Sequence, residues 1–319
     1  MVPVKNVVHD PSSASVPTDA RQAIAAPGPR QIPAPIRWWG ELSELIKFRL
    51  TLLVLLTTLI GFCLGSARPI DGLQALHAVV GTALVAAAAA VLNEVIERRQ
   101  DAQMIRTQNR PIAAGRVDGL HAAAAAMAAA AAGVAYLGLF TNFLAALVAA
   151  ATLATYVCLY TPLKRISPWN TWVGAVSGAL PPVIGYVSAR NEVDRTALFL
   201  LALLFLWQMP HFFAIAWLYR NDYERAGFRM LVVVDATGRK LTFQTVFFTL
   251  VLFLVSLWPM AAGTASLPYG PGAAALGALF VWMAIRFHNR PDRATARALF
   301  FASIAYLPLI LGLLVLFWK

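Results

Sequence analysis

The chain contains nine separate apolar stretches, and each is long enough to cross the ~30 Å hydrocarbon layer of a membrane as an α-helix. They lie near 50–66, 73–93, 119–139, 143–160, 168–188, 196–218, 242–262, 269–287 and 298–318. Apolar residues make up 59% of the chain and charged residues 13%, against about 45–50% and about 25% in soluble domains. A soluble fold is excluded, and so is a transmembrane β-barrel, whose strands would read as short alternating segments. The sequence therefore predicts an all-α polytopic membrane protein with nine transmembrane helices.

Residues 1–37 precede the first apolar stretch and are rich in proline, alanine and serine. They hold no apolar run long enough for the core of a signal peptide. We expect a disordered tail over 1–37 and one nine-helix domain over 38–319.

The basic residues are distributed unevenly between the two sides that nine spans create. The tail and the even-numbered loops carry 22 of the 26 Lys and Arg residues, and the positive-inside rule places that side in the cytoplasm. The net charge of +11 is therefore a sign of topology and not of nucleic-acid binding. We expect an inner-membrane protein with a cytoplasmic N-terminus and with Lys319 outside. The two cysteines, Cys63 and Cys158, lie in apolar runs, which excludes a disulfide scaffold and a cysteine-based zinc site.

Acidic residues concentrate in or beside the second and sixth loops, on the predicted cytoplasmic side. Seven of the 15 lie there: Glu94, Glu97, Asp101, Asp118, Asp222, Glu224 and Asp235. No acid falls at the centre of a span, which argues against an ion relay through the membrane. The pattern favours a functional site at the cytoplasmic mouth of the helices.

Asn93, Glu97 and Asp101 follow one another at intervals of four residues, so a continuing helix places them on one face. Oxygen ligands that leave room for water and phosphate oxygens suit Mg²⁺. The alternative is a solvated helix end in which Arg98 and Arg99 pair with these acids.

Basic residues in the same loops form a candidate cradle for a diphosphate, because arginine forks match phosphate oxygens. The candidates are Arg106, Arg110, Lys164, Arg165 and Arg225, interleaved with Asp222. The positive-inside bias alone is the alternative explanation for each of them.

Three stretches together resemble the intramembrane aromatic prenyltransferases, the family that includes ubiquinone and menaquinone prenyltransferases. They are NEVIERRQDAQMIRTQNRP (Asn93–Pro111), YTPLKR (Tyr160–Arg165) and WQMPHF (Trp207–Phe212). The third stretch, with Lys47, Phe48 and Arg49 at the first span, is similar to the branch of the family that farnesylates protohaem IX. The resemblance covers roughly residues 40–318.

The resemblance implies nine helices around a central cavity, a cytoplasmic cap from the second and sixth loops, and Mg²⁺-dependent use of an isoprenyl diphosphate. It implies Asn93, Glu97, Asp101 and Asp222 as catalytic residues, with the last three as metal ligands. The implied reaction joins farnesyl diphosphate to a haem vinyl group and gives haem O and pyrophosphate, with haem A synthase or an oxidase-assembly protein as a possible partner. In two departures from the family pattern, Glu97 stands for an aspartate, and Ala226 follows Asp222 where a second acid is usual.

The candidate substrate residues are His211, Trp207, Tyr160, Lys47 and Arg49. The His211 imidazole is a candidate ligand of haem iron, with a proton shuttle or a hydrogen-bonding cap as alternatives. We expect Pro210 to disturb the helix and turn His211 towards the cavity. Tyr160 and Trp207 could shelter a farnesyl cation, although aromatic belts also place such rings at membrane interfaces.

Two rival functions remain open from the sequence. One is a prenyltransferase acting on a quinone-type aromatic ring, against which the WQMPHF stretch argues. The other is a membrane carrier of haem or isoprenoid without chemistry, which would favour polar residues near the midplane.

Overall fold

The computed structural model describes residues 38–67 and 69–319. The predicted tail, 1–37, lies outside the described residues. The α-helices are α1 (Trp38–Leu45), α2 (Phe48–Gly65), α3 (Gly72–Asp101), α4 (Gly119–Phe140), α5 (Phe143–Ala154), α6 (Thr161–Leu163), α7 (Asn170–Ala179), α8 (Pro181–Arg190), α9 (Arg195–Leu218), α10 (Arg220–Arg225), α11 (Leu231–Val234), α12 (Arg239–Ser256), α13 (Trp258–Ala261), α14 (Tyr269–Asn289) and α15 (Arg293–Phe317). A six-residue π-helix, Thr155–Tyr160, joins α5 to α6.

Nine helical segments in the described ranges are long and apolar enough to cross a membrane, which confirms the predicted span count. They are Phe48–Gly65, Gly72–Asp101, Gly119–Phe140, Phe143–Leu163, Asn170–Arg190, Arg195–Leu218, Arg239–Ala261, Tyr269–Asn289 and Arg293–Phe317. Many large apolar side chains point outward, including Leu139 and Leu316. Such exposure fits a lipid environment, where the helical backbone satisfies its own hydrogen bonds.

Several long helices begin at a residue whose side chain accepts hydrogen bonds from the first free backbone N–H groups. These residues are Asp71 for α3, Asp118 for α4, Asn142 for α5, Asp194 for α9 and Asp292 for α15. The starts of these helices are therefore encoded locally in the sequence.

Helix α3 is longer than its apolar stretch. Hydropathy ends the span near residue 93, but the helix continues through Asp101. The polar extension is stable as helix because its acidic side chains are paired with basic residues from other segments, as described below.

The fifth span is bent where Pro181 and Pro182 follow α7, since proline supplies no backbone N–H to continue the helix. Helix α8 then packs against α2 so closely that the two backbones are in contact. A Cβ atom on Gly185 would lie 1.8 Å from the carbonyl oxygen of Thr58, and one on Gly61 would lie 1.9 Å from that of Pro182. Only glycine allows this contact, which is the small-residue packing that membrane helices use.

Pro210 does not end α9, which runs from Arg195 to Leu218 with the proline inside it. A missing backbone hydrogen bond is tolerated where neighbouring helices surround the site. His211 lies on the cavity side of this continuous helix.

A central cavity of about 300 Å³ lies between α2, α3, the π-helix, α7, α9 and α15. Apolar side chains make up most of its lining, including Leu53, Val54 and Leu204. The architecture is thus the predicted one, with nine helices around a cavity. The polar residues at the ends of the cavity determine what it can bind.

Candidate functional site

Three polar side chains lie buried on one face of the last turns of α3. Asn93 is 2% exposed, Glu97 is 3% exposed and Asp101 is fully buried. Arg98 and Arg99 are exposed and form no ion pair with these groups in the part of the chain that the structure describes. The alternative of a solvated helix end is therefore wrong.

Each acid of this face is neutralised by a basic residue from a different loop. The Nζ atom of Lys164 lies 2.8 Å from Oε1 and 3.0 Å from Oε2 of Glu97. The Nη1 atom of Arg110 donates to both carboxylate oxygens of Asp101, at 2.9 and 2.8 Å. Buried charges require such partners, and removing one member of a buried pair costs about 3–5 kcal/mol.

Lys47 completes the arrangement from the start of α2. Its Nζ atom donates to Oδ1 of Asn93 at 2.7 Å, and Nδ2 of Asn93 donates to the hydroxyl of Thr161 at 3.2 Å. Burial, together with the positive charges of Arg110 and Lys164, lowers the pKa of Lys47 to about 7. We refer to Lys47, Asn93, Glu97, Asp101, Arg110 and Lys164 as the charged cluster.

The loop after α3 folds back so that Arg110 reaches Asp101. The hydroxyl of Thr107 donates to the backbone carbonyl of Asp101 at 2.9 Å, and the backbone N–H of Ile112 donates to Oε1 of Glu94 at 3.0 Å. These two bonds hold the loop that contains Arg106–Pro111, the last part of the Asn93–Pro111 stretch, against the end of α3. The sequence placed Glu94 near the site, but its anchoring of the loop was not predicted.

The sixth loop contacts the second loop through an arginine that lies over two tyrosine rings. The guanidinium of Arg106 lies 4.7 Å from the ring centre of Tyr219 and 4.5 Å from that of Tyr223. These cation–π contacts join the two loops that were predicted to form the cap. Arg106 is thus held at the boundary between the loops.

Asp222 is 7% exposed and pairs with Arg225 within α10, one turn away. Among the described residues no bond connects Asp222 with Glu97 or Asp101, and no three Asp, Glu, His or Cys side chains are placed to share one metal ion. Helix α10 is regular, so Glu224 points outward and is exposed.

Arg49 and Arg165 are exposed and are not among the residues that line the cavity. Of the predicted diphosphate-binding residues, the structure brings together Arg110 and Lys164. Lys47, predicted as a substrate residue, joins them, whereas Arg49 and Arg165 do not.

The charged cluster adjoins the apolar cavity. Lys47 lines the cavity, as does Tyr160, whose ring lies 4.4 Å from Nζ of Lys164. A Cβ atom on Gly174 would lie 2.6 Å from the Tyr160 ring, so glycine leaves space for that ring. The π-helix that carries Tyr160 was not predicted, although such segments often occur at functional sites.

Trp207 and His211 lie one turn apart on α9 and both line the cavity. The two rings stack with centroids 5.0 Å apart. Trp207 is 7% exposed and donates from Nε1 to the carbonyl of Ser303 at 2.8 Å, so its assignment to an interfacial belt is wrong. Nδ1 of His211 lies 2.7 Å from the hydroxyl of the same serine. Ser303 was missed, because a lone serine in an apolar helix carries no sequence signal.

Gln208 adds a further polar group to the cavity lining. Its Nε2 atom donates to the carbonyls of Ala175 and Leu204, at 3.2 and 3.0 Å. A Cβ atom on Gly178 would lie 2.0 Å from Oε1 of Gln208, so the amide occupies space that only glycine provides.

Residues 54–307 match the UbiA prenyltransferase family. The chain belongs to this family. It is 42% identical over 282 residues to a protoheme IX farnesyltransferase of Solibacter usitatus, covering 86% of this chain and 97% of that protein. It is 38% identical over 276 residues to the human mitochondrial protoheme IX farnesyltransferase, covering 86% of this chain and 61% of the human protein.

Solved structures share the fold at low sequence identity. A digeranylgeranylglyceryl phosphate synthase superposes with a TM-score of 0.75 at 17% identity, covering 87% of this chain and 97% of that one. A UbiA homologue of Archaeoglobus fulgidus bound to GPP and Mg²⁺ gives 0.63 at 14% identity, covering 86% and 99%. The chain is a multi-pass membrane prenyltransferase with this fold.

Proposed function

We propose that this protein transfers the farnesyl group of farnesyl diphosphate to a vinyl group of protohaem IX, giving haem O and pyrophosphate. One observation carries the proposal: a buried charged cluster opens, through Lys47 and Tyr160, onto an apolar cavity of about 300 Å³. An isoprenyl diphosphate has the matching shape, a highly charged head on an apolar chain. The protoheme IX farnesyltransferases at 36–42% identity support haem as the acceptor.

Lys47, Arg110 and Lys164 bind the diphosphate head in this account. Their positive charges come from three different segments and meet at the end of α3. As the bond to the allylic carbon breaks, negative charge accumulates on the departing diphosphate, and preoriented cations stabilise it there. Arg106, Arg165 and Arg225 stay predictions as diphosphate ligands.

The oxygen donors at this end of α3 fit Mg²⁺. Glu97 and Asp101 are hard ligands one helical turn apart, and each carboxylate retains lone pairs beyond those that Lys164 and Arg110 use. Water and phosphate oxygens would complete the coordination, because Mg²⁺ is commonly held by one or two carboxylates together with substrate phosphates. When bound, the ion supplies positive charge that favours diphosphate departure. Asp222 as a third ligand stays a prediction, since it faces Arg225.

The apolar cavity holds the isoprenyl chain, and aromatic faces near its charged end shelter the allylic cation. Tyr160 contacts Lys164 of the charged cluster and lines the cavity, and Trp207 also lines the cavity. The electron pair of a haem vinyl group captures the cation, and water then adds to the resulting carbon centre and loses a proton. The product carries a hydroxyethyl group joined to the farnesyl chain.

His211 binds the iron of the haem substrate through Nε2 in this proposal. The other ring nitrogen, Nδ1, is engaged by Ser303, so only Nε2 is free for the cavity. A second hydrogen-bonded nitrogen is typical of histidines that bind metals.

The charged end faces the cytoplasm of an inner membrane in this account, because 22 of the 26 basic residues lie on that side. The N-terminus is then cytoplasmic and the C-terminus lies outside. A haem A synthase or an oxidase-assembly protein as partner stays a prediction.

Pyrophosphate release by the purified protein tests the proposal against both rivals. The protein is incubated with Mg²⁺ and farnesyl diphosphate, with haem, with 4-hydroxybenzoate or with no acceptor. We expect release that depends on haem. Release that depends on 4-hydroxybenzoate would favour the quinone-type rival, and no release with any acceptor would favour a carrier.

A further inference from the structure

The hydroxyl of Ser303 has one proton, so it can donate only one of the two hydrogen bonds that its Oγ atom forms. Ser303 is fully buried, and its Oγ atom donates to the backbone carbonyl of Phe300 at 2.6 Å. The same Oγ atom lies 2.7 Å from Nδ1 of His211. With the hydroxyl proton directed at Phe300, Oγ can only accept in the second bond, and that arrangement requires the proton of His211 on Nδ1.

A neutral imidazole has one N–H donor and one unprotonated nitrogen. With the proton on Nδ1, the lone pair of His211 is on Nε2. Within the described ranges Nε2 forms no hydrogen bond, yet it is not one of the fully buried polar atoms that lack a partner. Nε2 is therefore accessible to a ligand.

Two aromatic neighbours stack on the His211 ring. The Trp207 ring lies at 5.0 Å with an interplanar angle of 20°, and the Phe300 ring lies at 5.2 Å with an angle of 25°. His211 lines the cavity and its Nδ1 atom is bonded to Ser303, so Nε2 is the ring nitrogen that remains for a ligand in the cavity.

Ser303 also holds one of these neighbours in place. Its backbone carbonyl accepts the Nε1–H of Trp207 at 2.8 Å. One residue of α15 therefore orients two aromatic side chains of α9, the first through its backbone and the second through its hydroxyl. Only the hydroxyl contact is removed by a change to alanine.

We propose that Ser303 is a positioning residue that holds His211 as the Nδ1–H tautomer, so that Nε2 presents a lone pair to the haem substrate. This role rests on the proposed function of His211 as an iron ligand. Outer hydrogen-bond partners of metal-binding histidines typically contribute about 10–100-fold to metal affinity.

The tautomer is measured first in the wild-type protein, which requires no variant to fold. In ¹⁵N-labelled protein, the histidine nitrogens are assigned by comparison with His211→Gln, and proton-coupled ¹⁵N spectra identify the protonated nitrogen. We expect the proton on Nδ1. A proton on Nε2 would overturn the proposal.

Haem titrated into purified variants provides the functional readout. Ser303→Ala should weaken haem binding about 10–100-fold and alter the Soret spectrum, whereas Ser303→Thr, which keeps a hydroxyl, should restore both. Ser188→Ala is the matched control, because Ser188 is fully buried, donates to its own helix at Ile184 and accepts side-chain bonds at its carbonyl. It should bind haem as the wild type does.

His211→Ala separates the two claims. If His211→Ala leaves the haem spectrum unchanged, the ligand role in the proposed function is wrong. If His211→Ala changes the spectrum while Ser303→Ala binds haem within about twofold of wild type, only the role of Ser303 is refuted, since the loss falls short of the range expected for such a partner.

Discussion

Replacing Asp101 by Asn removes one negative charge from the charged cluster with little change in side-chain size. Asp101 is fully buried, and both of its oxygens accept from Nη1 of Arg110 at 2.9 and 2.8 Å. The amide of asparagine keeps one oxygen acceptor but loses the charge. We expect turnover to fall at least ~10²–10³-fold, the loss typical of removing one group that stabilises charge in a transition state.

The same change also leaves Arg110 without its counter-charge. Removing one partner of a buried pair costs about 3–5 kcal/mol, and the 25% exposure of the Arg110 side chain places the cost near the lower limit. A thermal unfolding assay in detergent measures this loss beside the pyrophosphate assay. Asp194→Asn is the matched control, because Asp194 caps α9 away from the cluster and asparagine is also a good cap. It should keep turnover near the wild-type value.

A double variant separates loss of stability from loss of chemistry. Asp101→Asn combined with Arg110→Met removes the uncompensated cation, so stability should recover in part while turnover stays low. Wild-type turnover in Asp101→Asn, or recovered turnover in the double variant, would refute the assigned roles of both residues.

Three further predictions concern packing, charge and topology. Gly185→Ala should lower the unfolding temperature, because its Cβ would lie 1.8 Å from the Thr58 carbonyl oxygen. Gly72→Ala, with nothing within 4 Å of its Cβ, should change the unfolding temperature only slightly. Equal unfolding temperatures for the two variants would contradict the close packing of α2 and α8. The KM for farnesyl diphosphate should rise as pH increases through about 7, where Lys47 loses its charge. Lys47→Arg should abolish the part of the pH dependence that comes from Lys47, and an unchanged pH profile in that variant would refute Lys47 as its source. In a cysteine-free background, single cysteines at Gln108 and Asn289 should be labelled from the cytoplasm, and single cysteines at Val193 and Leu267 should be labelled from outside. The reverse labelling pattern would overturn the proposed orientation.

The span count and the acidic face of α3 were predictable because each depends on local periodicity. The length of an apolar run matches the thickness of the membrane, and residues spaced four apart lie on one face of a helix. The end of α3 was not predictable from hydropathy, since Glu97 and Asp101 remain in the helix only because Lys164 and Arg110 neutralise them.

Contacts between segments that are distant in the chain could not be predicted from the sequence. His211 and Ser303 are 92 residues apart in the chain, and a serine in an apolar helix gives no sign of its partner. Arg106 shows the same limit, because an arginine that stacks on Tyr219 and Tyr223 looks, in sequence, like one that binds phosphate. Motif resemblance located these loops but did not specify which side chains meet within them.

The mass of the porphyrin product shows whether this protein farnesylates haem. Purified protein is incubated with haem, Mg²⁺ and farnesyl diphosphate, the porphyrin is extracted, and its mass is compared with that from the Asp101→Asn protein. We expect a haem that has gained one farnesyl group and one hydroxyl group, with one pyrophosphate released for each haem converted. The variant should form product at least ~10²–10³-fold more slowly. Haem of unchanged mass from active, haem-binding protein would contradict this expectation.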